Sequence, residues 1–250
     1  MAISETYTFN PDISEIVEEA YERAGLEMRT GYDIRTARRS LNILTLEWQN
    51  RGLNLWTIDE VTWDSVGNGS GTTTLTKGTA TYNLRSGTIS LLDAILRTND
   101  GELNQQADYR LNRISQPTYS TIPNKLTQAR PLQYYMDRKE ILGAGDGGVD
   151  QYDTITLWPV PDESLKYTLI YWRMRRIADA GNPASNTMQI PSRFIPALIS
   201  GLAYYIAMKK PEAQGRLPFL KEVYEEDFRT AADEDRVKAS VRFVPQIPWY

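Results

Sequence analysis

Ser192-Arg193-Phe194-Ile195-Pro196-Ala197-Leu198-Ile199-Ser200-Gly201-Leu202-Ala203-Tyr204-Tyr205-Ile206-Ala207 is the stretch on which the fold turns. Ile195, Ile199, Leu202 and Ile206 recur three or four residues apart, the spacing that places side chains on one face of a helix. Ser192 is the expected N-cap, and Pro196 is tolerated because it falls near the first turn, where a missing N–H breaks no helical bond. Lys209-Lys210-Pro211 gives a basic last turn and a stop. A second helix is predicted from about Leu217 to Lys238, with Leu217, Leu220, Tyr224, Phe228 and Ala231 on its apolar face. Two faces this wide need more partners than each other, and the remaining helical patterns lie at the opposite end of the chain.

At that end, Asn10-Pro11-Asp12 predicts a helix start, with Asn10 as cap and Pro11 in the first position. Ile13, Ile16, Val17, Ala20 and Ala24 form one face, Glu18, Glu19 and Glu22 the other, and Gly25 is the natural stop. A further helix is predicted from about Asp33 to Arg51 on the spacing of Ile34, Ala37, Leu41, Leu44 and Trp48. Arg35, Arg38 and Arg39 cluster elsewhere on its surface. They fit a solvated face, or a contact with another subunit or with DNA.

Between the ends, the chain has the pattern of strands. Thr72–Thr76 and Thr79–Leu84 flank a turn at Lys77-Gly78, followed by Ile89–Leu96, Tyr109–Ile114, Leu132–Met136, Thr154–Trp158 and Lys166–Arg173. In the last, Tyr167, Leu169 and Tyr171 alternate with Thr168, Ile170 and Trp172. Both faces therefore carry large side chains, as in a central or doubly covered strand. The crossover helices of parallel sheets are missing from the pattern, so an antiparallel meander is expected. The predicted class is α+β: a helical bundle built from both chain ends (1–56 and 188–240), an inserted antiparallel β-rich region (57–187) and an extended C-terminal tail (241–250).

Composition narrows the function. The chain has 250 residues, 41% apolar, enough for a sizeable core. It has no Cys and no His, which removes thiol nucleophiles, His bases, triads, disulfides and Cys/His metal sites. The formal net charge of −4 does not indicate a nucleic-acid binder, since like charge gives DNA no counterion-release gain. No apolar run is long enough to span a bilayer, and Met1-Ala2-Ile3-Ser4-Glu5 lacks the basic and apolar regions of a signal peptide, so neither membrane contact nor a leader is expected.

The polar motifs are weak. Gly67-Asn68-Gly69-Ser70-Gly71 matches no phosphate-loop spacing, and Asp146, Asp150 and Asp153 depart from that of an EF-hand, so an exposed turn is the better account. Glu225-Glu226-Asp227 are adjacent on a helix and point in different directions. With Glu222, Asp233, Glu234 and Asp235 they form an acidic solvated face. A glycan hydrolase needs two carboxylates across a cleft, and no such pair is identified. No catalytic, cofactor-binding or metal-binding residue is assigned, and no cofactor is expected.

Two clusters point instead to contacts. Arg173, Arg175 and Arg176 end the last strand beside Tyr171 and Trp172, and fit phosphate contact or a salt-bridged subunit contact against the Glu-rich helices. The terminus Val241-Arg242-Phe243-Val244-Pro245-Gln246-Ile247-Pro248-Trp249-Tyr250 combines two prolines with alternating apolar residues. Such a tail tucks onto its own domain or docks as an extended segment into a partner.

The order of elements, with the segments Ala94-Ile95-Leu96-Arg97-Thr98-Asn99, Ser120-Thr121-Ile122-Pro123-Asn124-Lys125, Thr156-Leu157-Trp158-Pro159-Val160-Pro161, Tyr171-Trp172-Arg173-Met174-Arg175-Arg176, Gly201-Leu202-Ala203-Tyr204-Tyr205 and Ala231-Ala232-Asp233-Glu234-Asp235-Arg236, resembles the head-to-tail adaptors of short-tailed bacteriophages, of the tail accessory factor and tail tubular protein A types. The resemblance implies a structural virion protein, not an enzyme. It would form a homododecameric ring beneath the portal protein, attach a downstream tail or nozzle protein, and continue the channel through which genomic DNA passes without sequence-specific binding. Assembly would take place in the host cytoplasm. Under this resemblance Val241, Phe243, Val244, Ile247, Trp249 and Tyr250 are portal-docking candidates, and Arg35, Arg38, Arg39, Arg173, Arg175 and Arg176 are subunit-contact or channel candidates. A carboxylate-dependent cell-wall glycan hydrolase and a monomeric binding module are the alternatives.

Overall fold

The computed structural model describes residues 9–29, 31–52, 55–62, 74–138, 153–181 and 187–235. The chain divides into two compact units, one made from its two ends (up to Trp56 and from Ile177 onward) and one from Thr57–Arg176. The architecture is α+β, as expected, with terminal helices flanking a central antiparallel β region.

Among the described residues the helical unit holds four long helices. Helix α1 (Ile13–Ala24) opens on a capping box: Asp12 Oδ1 accepts from the Glu15 amide at 2.8 Å, and the Glu15 carboxylate accepts from the Asp12 amide at 3.0 Å. This reciprocal pair satisfies two end donors at once, which moves the cap from the predicted Asn10 to Asp12 and leaves Pro11 outside the helix. Gly25 ends α1 at φ 72°, a left-handed conformation that glycine adopts without a Cβ clash. Helix α2 runs over Gly31–Asn50. Helix α4 (Ile195–Ala207) follows a 3-10 turn at Ser192–Phe194, so Phe194 occupies the cap position without a side-chain bond and Ser192 is not the cap. Helix α5 spans Leu217–Glu234.

Helices α1, α2 and α5 all pack on α4, which is apolar nearly all round. Ala197, Ser200, Gly201, Ala203 and Ala207 are buried on α4, and their small size lets three neighbours approach its axis. The bulk comes from those neighbours. Trp48 of α2 lies 5.7 Å from the ring of Phe194 and 5.5 Å from that of Phe228, and its Nε1–H donates to Tyr224 Oη at 3.0 Å. Ile177, Ala180 and Met188 complete this core.

Among the described residues the β unit contains two four-stranded sheets, and the elements are β1 (Ile58–Thr62), β2 (Thr81–Asn83), β3 (Thr88–Thr98), β4 (Ala107–Arg110), β5 (Asn112–Arg113), the short α3 (Gln116–Ser120), β6 (Gln133–Asp137), β7 (Thr154–Trp158) and β8 (Tyr167–Arg175). One sheet has the order β1-β8-β3-β4 and the other β2-β7-β6-β5. All ladders are antiparallel except the two-residue parallel pair of β5 with β6. The connectivity is not the expected meander: β8 is a central strand, and it pairs with β1 and β3 from the far end of the unit. Leu111 is buried between β4 and β5, where the chain crosses from one sheet to the other. Its amide donates to Ala94 O, and the next amide, of Asn112, donates to Leu132 O. Val61, Leu96, Leu169 and Tyr171 from one sheet and Tyr82, Tyr134, Ile155 and Leu157 from the other form one core.

Candidate functional site

The functional candidates on the helical unit are surfaces. On α2, Ala37, Leu41, Leu44 and Trp48 are buried, while Tyr32, Arg35, Arg39, Ile43 and Leu46 follow the same three- and four-residue spacing about two residues out of phase. At about 100° per residue, that offset turns the second stripe roughly opposite the core. Tyr32, Ile43 and Leu46 remain 65%, 46% and 40% exposed along it. Arg35, Arg38 and Arg39 are exposed, and none is paired with a described carboxylate. The basic face continues to Lys209, whose ammonium donates to Thr36 O at 3.3 Å and to Ser40 Oγ. Burial, then the charge of Arg39, hold Lys209 below its usual range.

A groove between α1 and the start of α4 carries the opposite sign. Phe9, Pro11, Ile16, Ile195, Pro196 and Ile199 supply its apolar lining. Glu15, Glu18, Glu19 and Glu22 stand along it, and of these Glu19 pairs with Arg23 at 2.8 Å. Phe9 is 81% exposed. Sequence periodicity points first to the buried face of each helix, so the apolar stripe of α2 and this groove do not stand out in it. The 32-35-39-43-46 spacing was the available signal.

The acidic residues of α5 do not form a catalytic pair. Arg51 bonds Glu225 through two nitrogens at 2.7 and 2.8 Å, reaches Glu47, and lies over the rings of Tyr224 and Phe228 at 5.0 and 4.8 Å. The hydrogen bonds from Arg51 hold the Glu225 carboxyl below the usual range, opposite to the raised value a general acid needs. Among the described residues no cluster of acidic side chains could hold a metal ion.

The strand-end arginines separate. Arg173 lies on the core side of β8 at 5% exposure, donating to Arg85 O at 3.1 Å, Ser86 O at 2.8 Å and Thr88 Oγ1 at 3.0 Å, with Asp59 at 3.4 Å. Burial pulls its guanidinium below the ordinary arginine value. The predicted three-residue basic surface is therefore corrected: Arg173 is internal to the β unit, where alternation places it with Tyr167, Leu169 and Tyr171. Arg175 is half-buried with Asp59 at 3.3 Å, and Arg176 is exposed. Val241, Phe243, Val244, Ile247, Trp249 and Tyr250 lie outside the described residues, as do both Gly-rich loops.

No described helix is long and apolar enough to cross a membrane. Exposed, oppositely charged helical faces with apolar residues among them define a protein that acts by contact with other proteins. The family model of the SU10 adaptor protein matches residues 13–246, and the chain belongs to this family of phage head-to-tail adaptors. It is a structural connector of the phage particle that engages portal and tail components. No curated protein matches the sequence.

Proposed function

We propose that the chain closes into a homododecameric ring that joins the portal protein to a downstream tail or nozzle protein and continues the DNA channel. The family match across both units, residues 13–246, carries this reading. The helical unit supports it with two different charged surfaces, as cyclic assembly beyond a dimer uses head-to-tail contacts between unlike faces. Arg35, Arg38 and Arg39, with Arg175 and Arg176 on the β unit, are the contact or channel residues in this reading. Val241, Phe243, Val244, Ile247, Trp249 and Tyr250 dock into the portal. A net charge of −4 suits passage of DNA, which slides where no counterion release holds it. Assembly takes place in the host cytoplasm before the particle is complete.

The test is native mass spectrometry of the full chain, alone and mixed with the portal, followed by electron cryo-microscopy of the largest species. A single closed oligomer of fixed copy number is the expected result. A chain that stays monomeric under both conditions refutes the ring.

A further inference from the structure

We propose that the outward stripe of α2 in one copy seats in the α1–α4 groove of the next copy, an inference that rests on the ring reading above. The stripe presents Tyr32, Ile43 and Leu46 among Arg35 and Arg39, and the groove presents Phe9, Pro196 and Ile199 beside Glu18 and Glu22, over a floor that includes the buried Ile16. The two surfaces match in chemistry twice over. Each has apolar side chains left in water by its own unit, and each carries unpaired charge of the sign opposite to the other's, since the cation in the groove lining, Arg23, is paired with Glu19. Neither Arg35 and Arg39 nor Glu18 and Glu22 are paired within the described chain, so contact between copies would supply their counterions.

The geometry favours a second copy over self-association through one patch. The α2 stripe lies opposite that helix's packing on α4, whereas the groove lies where α1 meets α4. Two stripes face to face would oppose arginines, and two grooves would oppose glutamates. Only stripe to groove removes both repulsions, and that pairing leaves one free surface at each end for the next copy. The apolar residues supply the adhesion, while the charges set which faces meet and in what register.

A charge exchange tests this directly. Arg35→Glu with Arg39→Glu makes both faces of a subunit acidic, and Glu18→Lys with Glu22→Lys makes both basic. All four positions are exposed, so each variant should keep the wild-type circular dichroism and Tm. Each alone should lose the closed oligomer in native mass spectrometry. An equimolar mixture should regain it, because acidic stripe meets basic groove and basic stripe meets acidic groove, with the two masses alternating in an even-numbered assembly. Ile43→Ser with Leu46→Ser provides an uncharged second variant, and it should also lose the oligomer. A closed oligomer formed by either charge variant alone overturns the proposal while leaving the ring standing. So does failure of the mixture when both chains are folded. A groove variant that closes alone yet no longer binds the portal overturns it too and assigns the groove to the portal. A wild-type chain that never closes removes the ring and this contact together.

Discussion

Gly201→Ala should destabilise the helical unit, although alanine is the better helix former. A Cβ at this position would lie 2.8 Å from Tyr224 Cε2, 2.9 Å from Tyr224 Cδ2 and 2.9 Å from Leu44 Cδ2. The Leu44 methyl is the free end of a side chain and can turn aside. The Tyr224 ring is held on several sides: its Oη by Trp48 at 3.0 Å, one face by Arg51 at 5.0 Å, and the stacked ring of Tyr204 at 6.4 Å. Removing glycine from a helix interior contributes about 1 kcal/mol in favour of the variant. Overpacking against a fixed ring costs about 1–3 kcal/mol, so the expected net loss is roughly 1 kcal/mol or somewhat more. That lowers Tm by roughly 5 °C in a unit of this size. The assay is thermal melting followed at 222 nm, a signal dominated by α1, α2, α4 and α5, all in this unit. Repeating it in a Tyr224→Leu background, which frees the space, should remove the penalty of the alanine. A Tm equal to or above wild type in the unmodified background would show that the ring gives way freely and that the close approach is not a constraint.

Other outcomes follow from the same structure. Asp12→Ala removes the capping box and should cost about 1 kcal/mol, measured by urea denaturation. Arg173→Ala takes the guanidinium donor from the Ser86 carbonyl and from Thr88 Oγ1, leaves the Arg85 carbonyl only the Thr88 hydroxyl, and should destabilise the β unit by about 3 kcal/mol, whereas Arg176→Ala should stay near wild type. Burial pushes the Tyr205 phenol up to about 12, helped by its hydrogen bond to Glu47, and burial pushes Tyr82 up to about 12 as well. A raised folded pKa gives stability that is complete below the unfolded value near 10 and is lost as pH rises toward 12, so denaturation midpoints should fall across that window, in step with phenolate absorbance. Removing residues 241–250 should leave the melting curve unchanged and weaken portal binding; equal binding by the shortened chain would exclude the tail as the docking segment.

Local periodicity made much of this architecture legible. The buried faces of α1, α2 and α5 follow from apolar spacing, Gly25 from its left-handed stop, and the central place of β8 from large side chains on both its faces, whereas α4 is buried nearly all round and Ile199 of its predicted face lines the groove. Pairing was not legible, because Ile58 meets Met174 only after the whole β unit has closed, and no local pattern encodes that register. The start of α1 went wrong where two signals competed: Asn10-Pro11 is a good start in isolation, but Asp12 with Glu15 satisfies one donor more. Arg173 was misread by residue type. Parity along the strand already placed it inward, and charge alone suggested a surface. The contact faces were the least legible, since an exposed isoleucine on a helix means little until the core on its other side is known.

The antiparallel pairing of β1 with β8 has a consequence for how such a chain is built. Ile58 stands opposite Met174, so the points where the polypeptide leaves the first helices and returns to the last ones are neighbours across one ladder, on the order of 5 Å apart. The intervening sandwich is a cassette with adjacent ends. Its excision would ask only for a brief linker between the flanking segments, and its replacement by another cassette of similar end spacing would leave the bundle's own folding instructions untouched.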